Sequence, residues 1–155
     1  MIFSQTAEYA LRAIVWLADH DGAAQTTQQI AAATHVPPDY LSKVLQALGR
    51  ADLVRSQRGL GGGFSLTREP EAITILQVIN AVDPLKRITT CPLGLKTHGK
   101  NLCPLHRKLD DATAAIEEAF AATSVAEVLR TPTNSHPLCE ATVGGRAAKQ
   151  GSSRG

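Results

Sequence analysis

The chain has 155 residues, 43% hydrophobic and 19% charged, which supplies enough apolar side chain for one buried core and argues against wholesale disorder. No apolar run approaches the roughly 18 to 20 residues that span a bilayer, and the opening Met1-Ile2-Phe3-Ser4-Gln5-Thr6 lacks the basic patch, apolar stretch and cleavage site of a secretory signal. A cytoplasmic protein with no membrane partner is expected. The formal net charge is only +2, so nucleic-acid binding has to be read from where the charges sit. Three cysteines are an odd count, and in a reducing compartment they point to metal binding, reactivity or packing rather than a disulfide framework.

From Thr6 to about Asp19, the residues Ala7, Ala10, Leu11, Ile14 and Ala18 recur at the spacing of one helical face. After Asp21-Gly22, Thr26 and Gln29 have the spacing of a capping box, which predicts a short helix to about Ala33. His35-Val36-Pro37-Pro38 breaks it, and a third helix follows with Leu41, Val44, Leu45 and Leu48 inward. Two short helices around a tight break form a helix-turn-helix, whose second member can enter a DNA major groove. Its outward face carries Ser42, Lys43, Gln46 and Arg50. An ordinary amphipathic helix pair with a solvated face has the same pattern.

The next segment separates the two readings. Leu53 to Arg58 and Phe64 to Arg68 are strand-like and joined by Gly59-Leu60-Gly61-Gly62-Gly63, a β-hairpin placed as a wing. Between Asp39 and Arg68 the cations Lys43, Arg50, Arg55, Arg58 and Arg68 face only Asp39 and Asp52, an excess hidden in the whole-chain total. The glycines lack the Gly-Lys-Ser/Thr ending of a phosphate-binding loop.

Thr74 is placed to cap a helix burying Ile75, Leu76, Ile79 and Val82, which Asp83-Pro84 ends. Leu85 to Leu102 has little periodicity and is expected as loop. From about Pro104 to Ala122, Leu105, Leu109, Ala112, Ile116 and Ala119 alternate spacings of four and three, the pattern of a helix packed along a partner. A second copy of the chain is the favoured partner, since helix-turn-helix proteins usually read two half-sites; packing on its own domain is the alternative. Residues 1–83 thus form a winged helix-turn-helix domain, 84–102 a sensor loop and 103–130 a dimerisation helix with a C-terminal helix. Residues 131–155 are expected to be largely disordered.

Cys91, His98, Cys103 and His106 fall in and just after the loop. Thiolate and imidazole are the usual ligands of iron-sulfur clusters and zinc. Cys103 and His106 are three residues apart at a helix start, where exposed N–H groups favour a thiolate. Pro92 and Pro104 each follow a cysteine and stiffen the loop.

Four segments, Glu8-Tyr9-Ala10-Leu11-Arg12-Ala13, Pro38-Asp39-Tyr40-Leu41-Ser42-Lys43-Val44-Leu45, Arg58-Gly59-Leu60-Gly61-Gly62-Gly63-Phe64 and Ile73-Thr74 through Ala81-Val82-Asp83, together resemble the Rrf2 family of bacterial winged-helix transcription regulators. The resemblance runs from about Met1 to Leu129 and includes the family's iron-sulfur and nitric-oxide-sensing members. It implies a mainly α fold, a winged helix-turn-helix with a long dimerisation helix, acting as a homodimer on double-stranded promoter DNA without a small-molecule substrate. It places Tyr40, Ser42 and Lys43 at the major groove and Arg58 in the minor groove. Gln28, Gln46, Arg50, Arg55 and Gly59 complete the candidate DNA contacts.

The resemblance also implies a cofactor. Cys91 and Cys103 match the outer two of three family cysteines and His106 matches a histidine found in some members, whereas Thr97, with His98 beside it, stands at the middle position. Members with a two-iron (2Fe-2S) cluster take an acid from the first helix of the other subunit, which Glu8 matches. Arg12 stands where those members have a histidine, so His98 or His106 would supply nitrogen. The implied function is sensing of redox state, iron-sulfur status or nitric oxide. The alternatives are the same regulator with zinc, or with no metal and reversible Cys91/Cys103 oxidation. An enzyme built on Cys103 and His106 lacks an orienting third group, and an electron carrier leaves the basic wing without a purpose. Cys139 is expected to be a free thiol.

Overall fold

The computed structural model describes residues 2–20, 22–98 and 101–138. The helices are α1 (Gln5–Ala18), α2 (Thr27–Thr34), α3 (Pro38–Arg50), α4 (Ile75–Val82), α5 (Pro104–Ala122) and α6 (Val125–Arg130), with strands β1 (Val54–Gln57) and β2 (Gly63–Leu66) between α3 and α4. Short 3-10 turns occupy Pro70–Ala72 and Lys96–His98, the second within the segment expected as plain loop.

Helix α1 begins where the Ser4 hydroxyl accepts the Ala7 N–H at 3.1 Å, a cap the sequence reading did not use. It buries Ala7, Ala10, Ala13, Ile14, Val15 and Leu17, while Leu11 and Ala18 are half-buried. The expected single stripe is thus too narrow. The reason is position: α1 packs against α2, α3, α4, α6 and β2, so apolar groups are needed around most of its circumference.

The capping box forms as expected. Gln29 N–H donates to the Thr26 hydroxyl at 3.2 Å and Thr26 N–H donates to the Gln29 side chain at 2.8 Å; such caps contribute about 1 kcal/mol. Helix α2 closes on His35, left-handed at φ 55° with its N–H on the Ala31 carbonyl, and Val36 buries its side chain within the turn. Helix α3 then starts at Pro38, whose fixed φ and missing N–H suit a first turn. Leu41, Val44, Leu45 and Leu48 face the core as expected.

Asp52, left-handed at φ 56°, turns the chain out of α3 into the hairpin. The register pairs Val54 with Leu66, Arg55 with Ser65, Ser56 with Phe64 and Gln57 with Gly63. Gln25 adds a bridge on the far side of β2: its N–H donates to the Phe64 carbonyl at 2.9 Å and the Phe64 N–H donates back at 2.7 Å. The wing root is therefore locked to the segment that leads into α2.

The Thr74 cap of α4 is again a capping box, with Gln77 as its partner. After α5 the chain returns to the head. Ile75 N–H donates to the Thr123 carbonyl at 3.0 Å, Val125 N–H to the Ile73 carbonyl at 2.8 Å, and the Phe3 and Phe120 rings lie 5.3 Å apart. Val125 is fully buried in the same core as Ile14, Leu45 and Ile79. The fold thus joins α6 to residues 1–83, across the division expected at residue 103. Residues 131–138 follow a defined course, with His136 Nε2 3.1 Å from the Asp19 carboxylate; Cys139 and the residues after it lie outside the described residues. Among the described residues, no helix is long and apolar enough to cross a membrane.

Candidate nucleic-acid interface and sensory loop

Helix α3 turns its charged face to solvent because its four large apolar residues all point the other way. Lys43, Gln46 and Arg50 are exposed along that face, Gln28 is exposed in the first turn of α2, and Arg55, Arg58 and Gly59 are exposed on the wing. Arg55 Nε lies 3.4 Å from the cross-strand Ser65 hydroxyl, which orients its side chain on the hairpin. This arrangement places donors suited to phosphates and base edges on one helix face and a neighbouring loop.

Two expected contacts are already engaged within the chain. The Tyr40 hydroxyl is hydrogen-bonded to that of Thr6, and its ring stands edge-on to Tyr9 at 5.5 Å and 79°. Tyr40 therefore fastens the start of α3 to α1. The Ser42 hydroxyl donates to the Pro38 carbonyl at 3.1 Å and stays on its own helix.

The sequence reading gave Arg12 no role of its own, yet it organises this end of the head. Its Nε donates to Glu8 Oε1 at 2.7 Å, its Nη1 donates to the Thr34 carbonyl at 3.0 Å, and its guanidinium lies 5.5 Å from the centre of the Tyr9 ring. Glu8, a candidate ligand, is thus held by Arg12. Their spacing of four residues could have revealed that pair, but not the reach to Thr34.

The loop before α5 holds one hydrogen-bonded thiol-imidazole pair and a second, buried cysteine. Cys103 caps α5 and its Sγ lies 3.3 Å from His106 Nδ1. Cys91 is buried, and the Leu95 backbone N–H, against the opposing effect of burial, draws its thiol below the ordinary cysteine range, with the His98 imidazole and the Leu93 N–H acting in the same direction. His98 Nδ1 is buried without a hydrogen-bond partner among the described residues. The donor types suit iron or zinc. Among the described residues, however, no three Cys, His, Asp or Glu side chains converge on one point. Within one chain, Glu8 is bonded to Arg12 and Cys103 to His106; the expected site takes its acid from a second chain.

A further group escaped the sequence reading because its parts are far apart in the chain. Arg87 Nε and Nη2 donate to the two Asp110 oxygens, both at 2.7 Å, and Arg87 Nη1 reaches Glu117 at 3.3 Å. The Ile88 N–H adds a bond to Asp110 Oδ1 at 2.8 Å. Asp110 is 5% exposed, and the guanidinium beside it holds its carboxyl down to about 2.

The expected partner face of α5 is open. Leu105 and Leu109 are 64% and 50% exposed, Ala112 and Ala119 are exposed and Ile116 is half-buried. Leu105 and Leu109 are thus left uncovered by their own domain, while Ile116 is partly covered.

The profile of the Rrf2 family, iron-dependent transcriptional regulators, matches residues 3–131. A protein of Aquifex aeolicus (strain VF5), assigned to the HTH-type transcriptional regulators, is 31% identical over 132 residues, covering 83% of this chain and 92% of that one. The HTH-type transcriptional regulator NsrR of Bacillus subtilis (strain 168) is 32% identical over 104 residues, 66% of this chain and 68% of that one. Among solved structures, CymR, the global cysteine regulator of B. subtilis, is similar with a TM-score of 0.68 at 25% identity, over 83% of this chain and 95% of that one.

Proposed function

Because the chain belongs to the Rrf2 family of transcriptional regulators, we propose that it works in the cytoplasm as a homodimer on promoter DNA and senses redox state, iron-sulfur status or nitric oxide through the loop between α4 and α5. Its relatives and fold neighbours are transcription regulators, not enzymes. The observation that carries the DNA-reading part is the exposed row of Lys43, Gln46 and Arg50 on α3 beside Arg55 and Arg58 on the wing. Arg58 reaches the minor groove while α3 lies in the major groove. Binding to promoter fragments is expected to weaken as salt rises and to weaken further in Arg58→Ala. Affinity that ignores both salt and Arg58 overturns this part.

In the sensing part, Cys91 and Cys103 are the thiolate donors, His98 or His106 the nitrogen donor, and Glu8 of a second chain the acid donor once it leaves Arg12. A cluster held there would supply a reversible redox and gas-reactive centre. The chain's own task is to convert a change in the loop into a shift of α5, and so of the two DNA-reading heads. Anaerobic reconstitution with iron and sulfide should give a coloured protein containing iron; a colourless protein without bound iron sinks the cluster.

The pairing of Cys103 with His106 supports a second reading with the same DNA-binding head: zinc, or a metal-free thiol switch. Metal analysis of protein purified without oxygen separates the three. Zinc alone supports a zinc site, and an absence of metal with reversible Cys91/Cys103 oxidation supports the switch.

A further inference from the structure

The described residues between Ile88 and Cys103 bond to one another. Gly94 N–H donates to the Cys91 carbonyl at 3.0 Å, His98 N–H to Leu95 at 3.1 Å and Asn101 N–H to His98 at 2.8 Å. Hydrogen bonds tie this segment to α5 at its far end, where Cys103 meets His106 and Arg107, and at its start, where Asp110 accepts from the Ile88 N–H and, bidentately, from Arg87. Asp110 is the one buried carboxylate among the described residues. It stands two helical turns beyond Cys103, which caps the same helix. The loop is therefore fastened to α5 twice: covalently at Cys103 and through the latch at Asp110. Cys91, 8% exposed, lies three residues past the latch.

We infer that Asp110, acting through Arg87 and the Ile88 amide, is the positioning residue of the sensory loop and keeps Cys91 buried. The inference rests on the reading that this loop is the sensor, and it adds a residue that touches neither thiol. A buried carboxylate with two charge-assisted bonds is a rigid anchor. Its loss leaves the loop to open locally while the core stays folded.

The test is the alkylation rate of each cysteine by iodoacetamide in the full chain carrying Cys139→Ser, at fixed neutral pH and without oxygen. The thiolate sulfur displaces iodide, and peptide mass spectrometry reads the two sites separately. Asp110→Asn should raise the Cys91 rate about tenfold or more while Cys103 changes less than about threefold, with Arg87→Lys intermediate and Arg87→Gln close to Asp110→Asn. An unchanged Cys91 rate in a variant that circular dichroism shows to be folded overturns the inference; should Asp110→Asn fail to fold, Arg87→Gln decides. The sensor reading fails separately, if Cys91→Ser alters neither DNA affinity nor iron uptake, and that result leaves the latch standing.

Discussion

A Cβ on Gly63 would lie 2.3 Å from the Gln25 carbonyl oxygen, so the wing strand passes the segment before α2 closer than any side chain allows. Gly63 also sits at φ 139°, where other residues are strained. Gly63→Ala should therefore break the Gln25 bridge and cost about 1–3 kcal/mol. Urea titration should show the loss, and affinity for DNA should fall further than stability alone explains because the wing root shifts. Full retention of both refutes the account.

Lys43 and Gln46 lie on the same helix face and should fail in different ways. Lys43→Ala should weaken binding about equally for all sequences and reduce the salt slope by about 1, as the loss of a phosphate contact does. Gln46→Ala should cost about 1–3 kcal/mol at one base position and relax the preference there. Fluorescence anisotropy across a set of single-base variants, at two salt concentrations, distinguishes the two outcomes.

The open stripe on α5 predicts dimer loss without unfolding. Burying a leucine contributes about 1.5–3 kcal/mol, so Leu109→Asp should move the protein towards monomer in sedimentation velocity and leave its helical signal intact. Leu105 and Leu109 touch no core residue of their own head strongly enough to be buried. A variant that stays dimeric places the interface elsewhere.

Acid should weaken the latch in a defined window. The unfolded Asp110 carboxyl protonates near its ordinary 3.8, while the folded one resists down to about 2. Its stabilisation is whole above about 3.8 and fades as pH falls through 2. Chemical denaturation between pH 5 and about pH 2 should show a smaller pH dependence in Asp110→Asn than in the parent chain. Equal dependence in both removes Asp110 from the acid response.

Local rules made most of the head legible. The capping box at Thr26, the cap at Thr74, the proline start of α3 and the apolar row from Leu41 to Leu48 are short-range signals, and each formed where its spacing pointed. The length of α5 was legible for the same reason. What escaped is what the chain builds across distance. Arg12 reaches the Thr34 carbonyl, Tyr40 meets Thr6, and Arg87 meets Asp110, and none of these pairings leaves a periodic trace. Nearness in sequence gathered Cys91, His98, Cys103 and His106 into one candidate set, but only the bond between Cys103 and His106, three residues apart at a helix start, could be read from spacing.

The return of α6 makes the DNA-reading head discontinuous in sequence. Val125 fills the core beside residues from α1 and α4, and Thr74 and Ser124 pair as an antiparallel bridge. A fragment ending at Asp83 would therefore carry a hole where Val125 belongs and would leave the Ile75 N–H and the Ile73 carbonyl without their partners. The smallest folding unit of the head therefore includes the far end of the long helix, so the head cannot be cut away from α5 without losing part of its own core.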